Sequence, residues 1–369
     1  MDVPTDVLVE ILLRLSPICR RRLRLVCRLW RDLVQERTPK ISTRPARPLI
    51  ETLSRCAYIV HDVQGRGRCT PLWKTTAQQE AYLKMQVAGS CNGLLCLCDD
   101  FKPGGAITLA NPATGEDLAL PPVPGAGRFG RPKIGWHHAY GFAYHSVTGQ
   151  YKIVNVSCYE DRVQVFTLGE ASWRDVSAAP AGARCRLDAG VVALDGAAYW
   201  VTVTERIMSF DHEDESVRVV STESPPEPIC HLAEVRGRLA AVISDGFMAH
   251  EKIQVWILEG DRMERKWNHR YNVQLPRKGL QEHPGLTYPG QRLARPHLGH
   301  GMTTILTHGT WFGEGLVLYE HTPTTSSCTS VVQNDQWKPR PLACNNRGRI
   351  YQTFAYTETM EPLSVYKLW

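Results

Sequence analysis

Three groups of side chains in this 369-residue sequence have types and spacing that chemistry can use. Cys91, Cys96 and Cys98 offer thiolates for zinc, but a structural zinc site needs four ligands and no second pair follows at the right spacing. If residues 93–98 form an apolar strand, Cys96 and Cys98 fall on the same face by its period of two, which suits a core position. His297-x-x-His300, with His308 nearby, also has ligand types for a metal; a His pair in a polar loop reads as plain surface. Asp211, Glu213, Asp214 and Glu215 crowd one turn. Paired carboxylates can cleave glycosides, yet neighbours in a hairpin make a solvated tip. Gly125-Ala126-Gly127-Arg128-Phe129-Gly130 fits G-x-G-x-x-G only formally, because it follows a Pro-rich loop instead of joining a strand to a helix. No G-x-S-x-G, P-loop or H-E-x-x-H pattern occurs. The sequence therefore predicts no catalytic residues, no metal and no other cofactor.

The elements that carry these residues are written in the composition. Hydrophobic residues make up 43% and charged residues 22%, an ordinary globular balance. Gly and Pro, placed between short apolar runs, punctuate many short strands, and ten Trp with thirteen Tyr suit pleated, half-buried surfaces. The N-terminus lacks the basic and apolar regions of a signal peptide, and no stretch is long enough to span a membrane. The twelve cysteines are accordingly read as free thiols of a reducing compartment, with a disulfide framework as the weaker reading. Arg20, Arg21, Arg22, Arg24, Arg28 and Arg31 concentrate charge in one segment. That cluster suits nucleic acid or a nuclear-import signal, but a solvated helix face is the plainer reading.

Residues 4–36 carry a helical period. Thr5 is read as an N-cap, and Leu8, Ile11, Leu12 and Leu15 share one face. After the Ser16-Pro17 break, Leu23, Val26, Cys27, Trp30, Leu33 and Val34 repeat the pattern. About forty residues cannot stabilise themselves by burial alone, so the stripe packs at home or meets another protein. The run Val3-Pro4-Thr5-Asp6-Val7-Leu8-Val9-Glu10-Ile11-Leu12-Leu13-Arg14-Leu15 resembles the opening of an F-box. Val26-Cys27-Arg28-Leu29-Trp30-Arg31 resembles its close, at the family's spacing. The resemblance implies binding to a Skp-type adaptor, and through it to a cullin–RING ubiquitin ligase. It assigns that contact to Pro4, Leu8, Ile11, Leu12, Leu15, Leu23, Val26, Cys27 and Trp30. Ser16 stands where the family has Pro, and Arg20-Arg21 where it has an apolar pair; arginine stems can still cover apolar surface.

From about residue 88 short β-like runs alternate with turns. Gln164-Val165-Phe166-Thr167-Leu168 recurs as Gln254-Val255-Trp256-Ile257-Leu258, each followed by a Gly, acids and a Trp (Trp173, Trp267). Gly196-Ala197-Ala198-Tyr199-Trp200 has a counterpart at Gly237–Val242. Spacings near 40–50 residues, or twice that, are what β-propeller blades produce. Gly89-Ser90-Cys91-Asn92-Gly93-Leu94-Leu95-Cys96, Asn111-Pro112-Ala113-Thr114-Gly115, Tyr140-Gly141-Phe142, Ser172-Trp173-Arg174 and Ile207-Met208-Ser209-Phe210-Asp211 follow in an order that resembles the F-box-associated domain found with plant F-boxes. That domain is related to kelch propellers, though the Gly-Gly doublets of kelch repeats are missing here.

The predicted fold is mainly β with a small α-helical N-terminal F-box and a C-terminal propeller-like domain of about six or seven blades. Its expected parts are residues 1–40 (F-box), 41–87 (junction) and 88–369 (propeller). Leu49–Val60 is a candidate further strand or blade. Loops Pro121–Lys133 and Leu275–Gly301 are the candidate client-binding surface. The expected function is a non-catalytic substrate receptor of an SCF-type ubiquitin ligase in the nucleus and/or cytoplasm, with an unidentified client and no membrane or nucleic-acid partner. A glycan-binding propeller or propeller enzyme is the alternative.

Overall fold

A computed structural model describes most of residues 4–274. The exceptions are 16–22, 24–25, 35–45, 53–54, 62–68, 74–76, 78–79, 81, 83, 129, 131–134, 146–147, 177–179, 195, 221–224, 226–228, 236, 245–251 and 261–264. Beyond residue 274 it describes 297–298, 305–306, 317–320, 338–341 and 350–367.

Helix α1 (Thr5–Arg14) and the short α2 (Arg28–Asp32) form the N-terminal hook. Pro4, and not Thr5, occupies the N-cap of α1 and makes no side-chain cap. Proline supplies the extended backbone there without a donor that would need a partner.

The remainder is β-structure. β1 (Arg47–Thr52), β2 (Ala57–Val60) and β3 (Cys69–Pro71) form a sheet that β24 (Ile350–Tyr356) completes, in the order β24-β1-β2-β3. Four more antiparallel sheets follow in chain order. They are β4 (Met85–Cys91) to β7 (Glu116–Ala119) through β5 (Leu94–Asp99) and β6 (Ala106–Asn111); β8 (Tyr140–His145) to β11 (Arg174–Asp175) through β9 (Gln150–Val156) and β10 (Val163–Thr167); β12 (Val191–Leu194) to β15 (Val217–Val219) through β13 (Ala197–Val201) and β14 (Ile207–Asp211); and β16 (His231–Val235) to β19 (Lys266–Gln274) through β17 (Arg238–Ser244) and β18 (Lys252–Glu259). The first strands pack side by side, β24 on β4, β4 on β8, β8 on β12 and β12 on β16. This is a β-propeller, as the repeats predicted.

The blade count differs from the prediction. Five four-stranded blades stand among the described residues, not six or seven. The expected number came from dividing the chain by one repeat length. Between β19 and β24 the described residues supply only the pairs β20 (His297–Leu298)–β21 (Ile305–Leu306) and β22 (Val317–Glu320)–β23 (Lys338–Pro341). Of these, β20 lies between β16 and β24.

Within 41–87, where a junction was expected, β1–β3 belong to the closing blade. Pro48 sits inside β1 and pairs with Ala355 of β24. A strand that pairs with a partner 300 residues away carries no local signal of it.

The core lies between blades. Leu49, Leu95, Leu97 and Ala110 join the first two. Cys96, Leu109, Phe142 and Ile153 join the next pair, Val154, Val165, Trp200 and Phe210 the next, and Tyr199, Val201, Leu232 and Ala241 the last. A strand between two neighbouring sheets is buried on both faces, so its sequence is continuously apolar. Every residue of β5 is buried. Leu94, Cys96 and Cys98 face one neighbouring blade and Leu95 and Leu97 the other. Each such large side chain contributes about 1.5–3 kcal/mol by burial.

Candidate functional site

The hook has its own small core. Leu8, Leu12 and Leu33 are buried together, with Val9, Leu15, Leu23, Trp30 and Val34 partly covered around them. Successive helical turns place Leu8 and Leu12 on one stripe and Val7 and Ile11 on the adjacent one. Ile11 is 44% exposed while Leu12 is fully buried. Val7, Leu13, Val26 and Leu29 are exposed as well, as are Pro4 and Cys27. The nine residues predicted for adaptor contact thus divide: Leu8 and Leu12 hold the hook together, Leu15, Leu23 and Trp30 rim its core, and Pro4, Ile11, Val26 and Cys27 reach the surface. Val7 and Leu29 join them, unpredicted. The signal for Val7 was its i, i+4 step to Ile11. Ser16 and Arg20–Arg22 lie outside the described residues.

The propeller has two unlike ends. Antiparallel order puts the turn between second and third strands, and the connection to the next blade, at one end of every blade. Contacts knit that end into a continuous surface. The Arg55 guanidinium lies 4.8 Å above the Phe101 ring, Trp136 and Tyr159 meet edge-on at 5.9 Å, and Arg162 donates to the Pro124 carbonyl at 3.2 Å. Asp161 accepts the Gly182 and Arg184 amides at 2.9 and 3.1 Å. The described part of loop Pro121–Lys133 belongs to this end. Loop Leu275–Gly301 lies outside the described residues except for His297 and Leu298.

The C-terminal tail lies across the opposite end. Asn111 donates to the carbonyls of Thr359 and Glu361 at 3.2 and 2.8 Å, and Leu363 and Tyr366 are buried against the core of the second and third blades. Near the same end a cavity of about 250 Å³ opens between Arg47, His61, Thr70, Tyr356 and Glu358.

The chemistry-bearing groups are bound up in structure. Burial pushes the Cys91 thiol up to about 12 and raises Cys96 and Cys98 further, so all three stay protonated. No cluster of metal-ligating side chains occurs among the described residues. His297 is the only described member of its trio, and its side chain, like His300 and His308, is not described. Eight described cysteines are free thiols; Cys69 is disulfide-bonded, against the free-thiol reading.

In the acidic turn, Glu215 accepts from Arg174 at 2.6 Å and from Lys152 at 2.7 Å. The Arg174 hydrogen bond, with Lys152 behind it, holds Glu215 down at about 2. Asp211 and Asp214 cap the amides of Glu213 and Ser216. A carboxylate locked in its ionised form donates no proton near neutral pH, so the turn is a structural clasp between two blades.

Sequence reasoning missed one buried pair. Asp100 accepts the His137 amide at 2.9 Å and lies 2.7 Å from His137 Nδ1. Burial opposes its charge, but the bonds from His137 outweigh that and lower its pKa. Thirty-seven residues separate the partners, and no local pattern joins them.

An apolar helical hook followed by a closed propeller defines a two-module interaction protein. Comparison with known families agrees: an F-box domain model matches residues 1–42, and the F-box associated beta propeller domain matches residues 63–287. The chain belongs to the F-box-associated β-propeller family. It is 26% identical to F-box protein At3g07870 of Arabidopsis thaliana over 330 residues, covering 76% of this chain and 75% of that protein. It is 24% identical to F-box protein At5g65850 of the same plant, covering 73% and 71%. Among solved structures, a chain of the nidogen/laminin complex matches with a TM-score of 0.45 and 11% identity, over 85% of this chain and 99% of that one. At that score the likeness carries no argument.

Proposed function

We propose that this chain is the non-catalytic substrate-recognition subunit of an SCF-type cullin–RING ubiquitin ligase, acting in the nucleus or cytoplasm. The F-box binds a Skp-type adaptor and the propeller holds a client protein. The observation that carries this reading is the division of the hook's apolar residues. Leu8, Leu12 and Leu33 satisfy its core, and Val7, Ile11, Val26 and Leu29 remain in solvent. Apolar side chains left over after a core is closed mark a partner surface. The receptor's contribution to ubiquitin transfer is proximity, raising the effective concentration of client lysines beside the charged carrier.

The test is co-purification of the full chain with a Skp-type adaptor. Ile11→Asp or Val26→Asp should abolish it while leaving the propeller's melting transition in place. Leu12→Asp should abolish it by unfolding the hook, seen as lost helical signal. A folded wild-type chain that captures no adaptor overturns the reading.

A further inference from the structure

We infer that the propeller end opposite the C-terminal tail is the client-docking face, and that it takes an acidic peptide segment carrying apolar side chains. The inference rests on the receptor reading above and deepens it.

Three large apolar side chains stand exposed at one equivalent place in three successive blades, the turn between second and third strands. They are Phe101 after β5 (53% exposed), Tyr159 after β9 (41%) and Val203 after β13 (45%). One exposed apolar side chain needs no explanation; three in register on one rim form a patch for a partner. The turn backbone that carries each is pinned by hydrogen bonds. The Phe101 amide donates to Asp99 Oδ1 at 3.0 Å, the Tyr159 amide donates to Ser157 Oγ at 3.2 Å, and the Thr202 amide donates to the Arg206 carbonyl at 2.8 Å around Val203. A pinned turn backbone lowers the entropy cost of binding.

Charge selects the occupant. On the third and fourth blades the rim's charges largely neutralise one another: Arg162 pairs with Asp175, Arg184 with Asp161, and Arg186 with Asp188 and Glu205. Around Phe101 three cations outnumber the two adjacent carboxylates, Asp99 and Asp100. Arg55 covers its ring, and Lys102 and Arg128 are exposed. Among the described residues no carboxylate pairs with these three. Of the two adjacent acids, Asp100 is bonded to His137 and Asp99 accepts the Phe101 amide. Because the anchors sit on three separate blades, the occupant must extend across them, as a peptide segment does. The opposite end offers no such face over the second and third blades, since the tail covers it.

The test is selection of phage-displayed random short peptides on the full-length chain. Selected peptides should be rich in Asp or Glu with aromatic or aliphatic residues between them. Their affinity should fall about tenfold or more with Phe101→Ser, the scale of one interface anchor. A similar loss should follow Arg55→Glu with Lys102→Glu, and none Val219→Ser on the outer strand β15. Neutral or basic selected peptides, indifference to these variants, or failure to select any peptide overturns the inference. Adaptor co-purification is read in parallel. If it persists while peptide selection fails, the docking face is wrong and the receptor reading stands.

Discussion

Neighbouring residues of this chain do different work at nearly the same depth of the sequence. Ile11 and Leu12 are both apolar and both helical, yet one faces solvent and the other closes the hook. Leu12→Ala should cost about 2–5 kcal/mol of hook stability, and Ile11→Ala about 0.5 kcal/mol or less. Helical signal under denaturant would separate them. Glu51 is a second such residue. It is 1% exposed, accepts the Val87 amide at 3.1 Å and is bonded by Gln352. Burial raises its pKa to about 8 against those bonds, with Asp100 adding to the rise and Arg55 opposing it. A carboxyl that titrates near 4.5 when unfolded and near 8 when folded stabilises fully below the lower value and progressively less as pH rises towards the upper. His212, buried and lowered to about 3, works in the other direction below pH 6.5. Between pH 6.5 and 8 the Glu51 slope therefore stands without opposition from His212. The wild type should lose about 1.5 kcal/mol over that range, and Glu51→Gln should remove the loss in urea titrations at each pH.

At the scale of elements, the hairpins were the most legible part. Asn92 and Gly93, at φ 48° and 84°, make the two-residue turn that joins β4 to β5. The Gln164 and Gln254 repeats occupy the third strands of the third and fifth blades, two blades apart, and the counterpart at Gly237–Val242 falls on a second strand one blade beyond Gly196–Trp200. The tail was not legible. A Cβ on Gly93 would lie 2.1 Å from the Thr357 carbonyl oxygen, so the turn and the tail share one space. Gly93→Ala should displace the tail and destabilise the propeller by about 2 kcal/mol or more. Tyr366→Ala, which loses the 2.8 Å bond to Glu361 and the edge-on contact with Tyr151, should cost about 3 kcal/mol. Protease cleavage within the tail would rise in both variants if it is docked as described.

The whole molecule closes through its ends. β1 pairs with β24 from Arg47↔Tyr356 to Thr52↔Ile350, so the last described strand completes a sheet built from the first three. Deletion of residues 350–369 should abolish a single cooperative unfolding transition. Removal of residues 1–45 should leave the propeller's melting temperature nearly unchanged, because among the described residues the hook's core is built from its own side chains. Calorimetry of the two truncations checks both. The sequence by itself determined what depends on near neighbours: two amphipathic helices at F-box spacing, strands of period two, turn residues, and repeats one and two blades apart. Tertiary structure alone decided which apolar residues were surplus to the hook, that residues 47–71 complete their blade with β24, and that Phe101, Tyr159 and Val203 share a rim. Those outcomes depend on contacts between residues tens to hundreds of positions apart, and burial, unlike periodicity, is a property of the partner as much as of the residue.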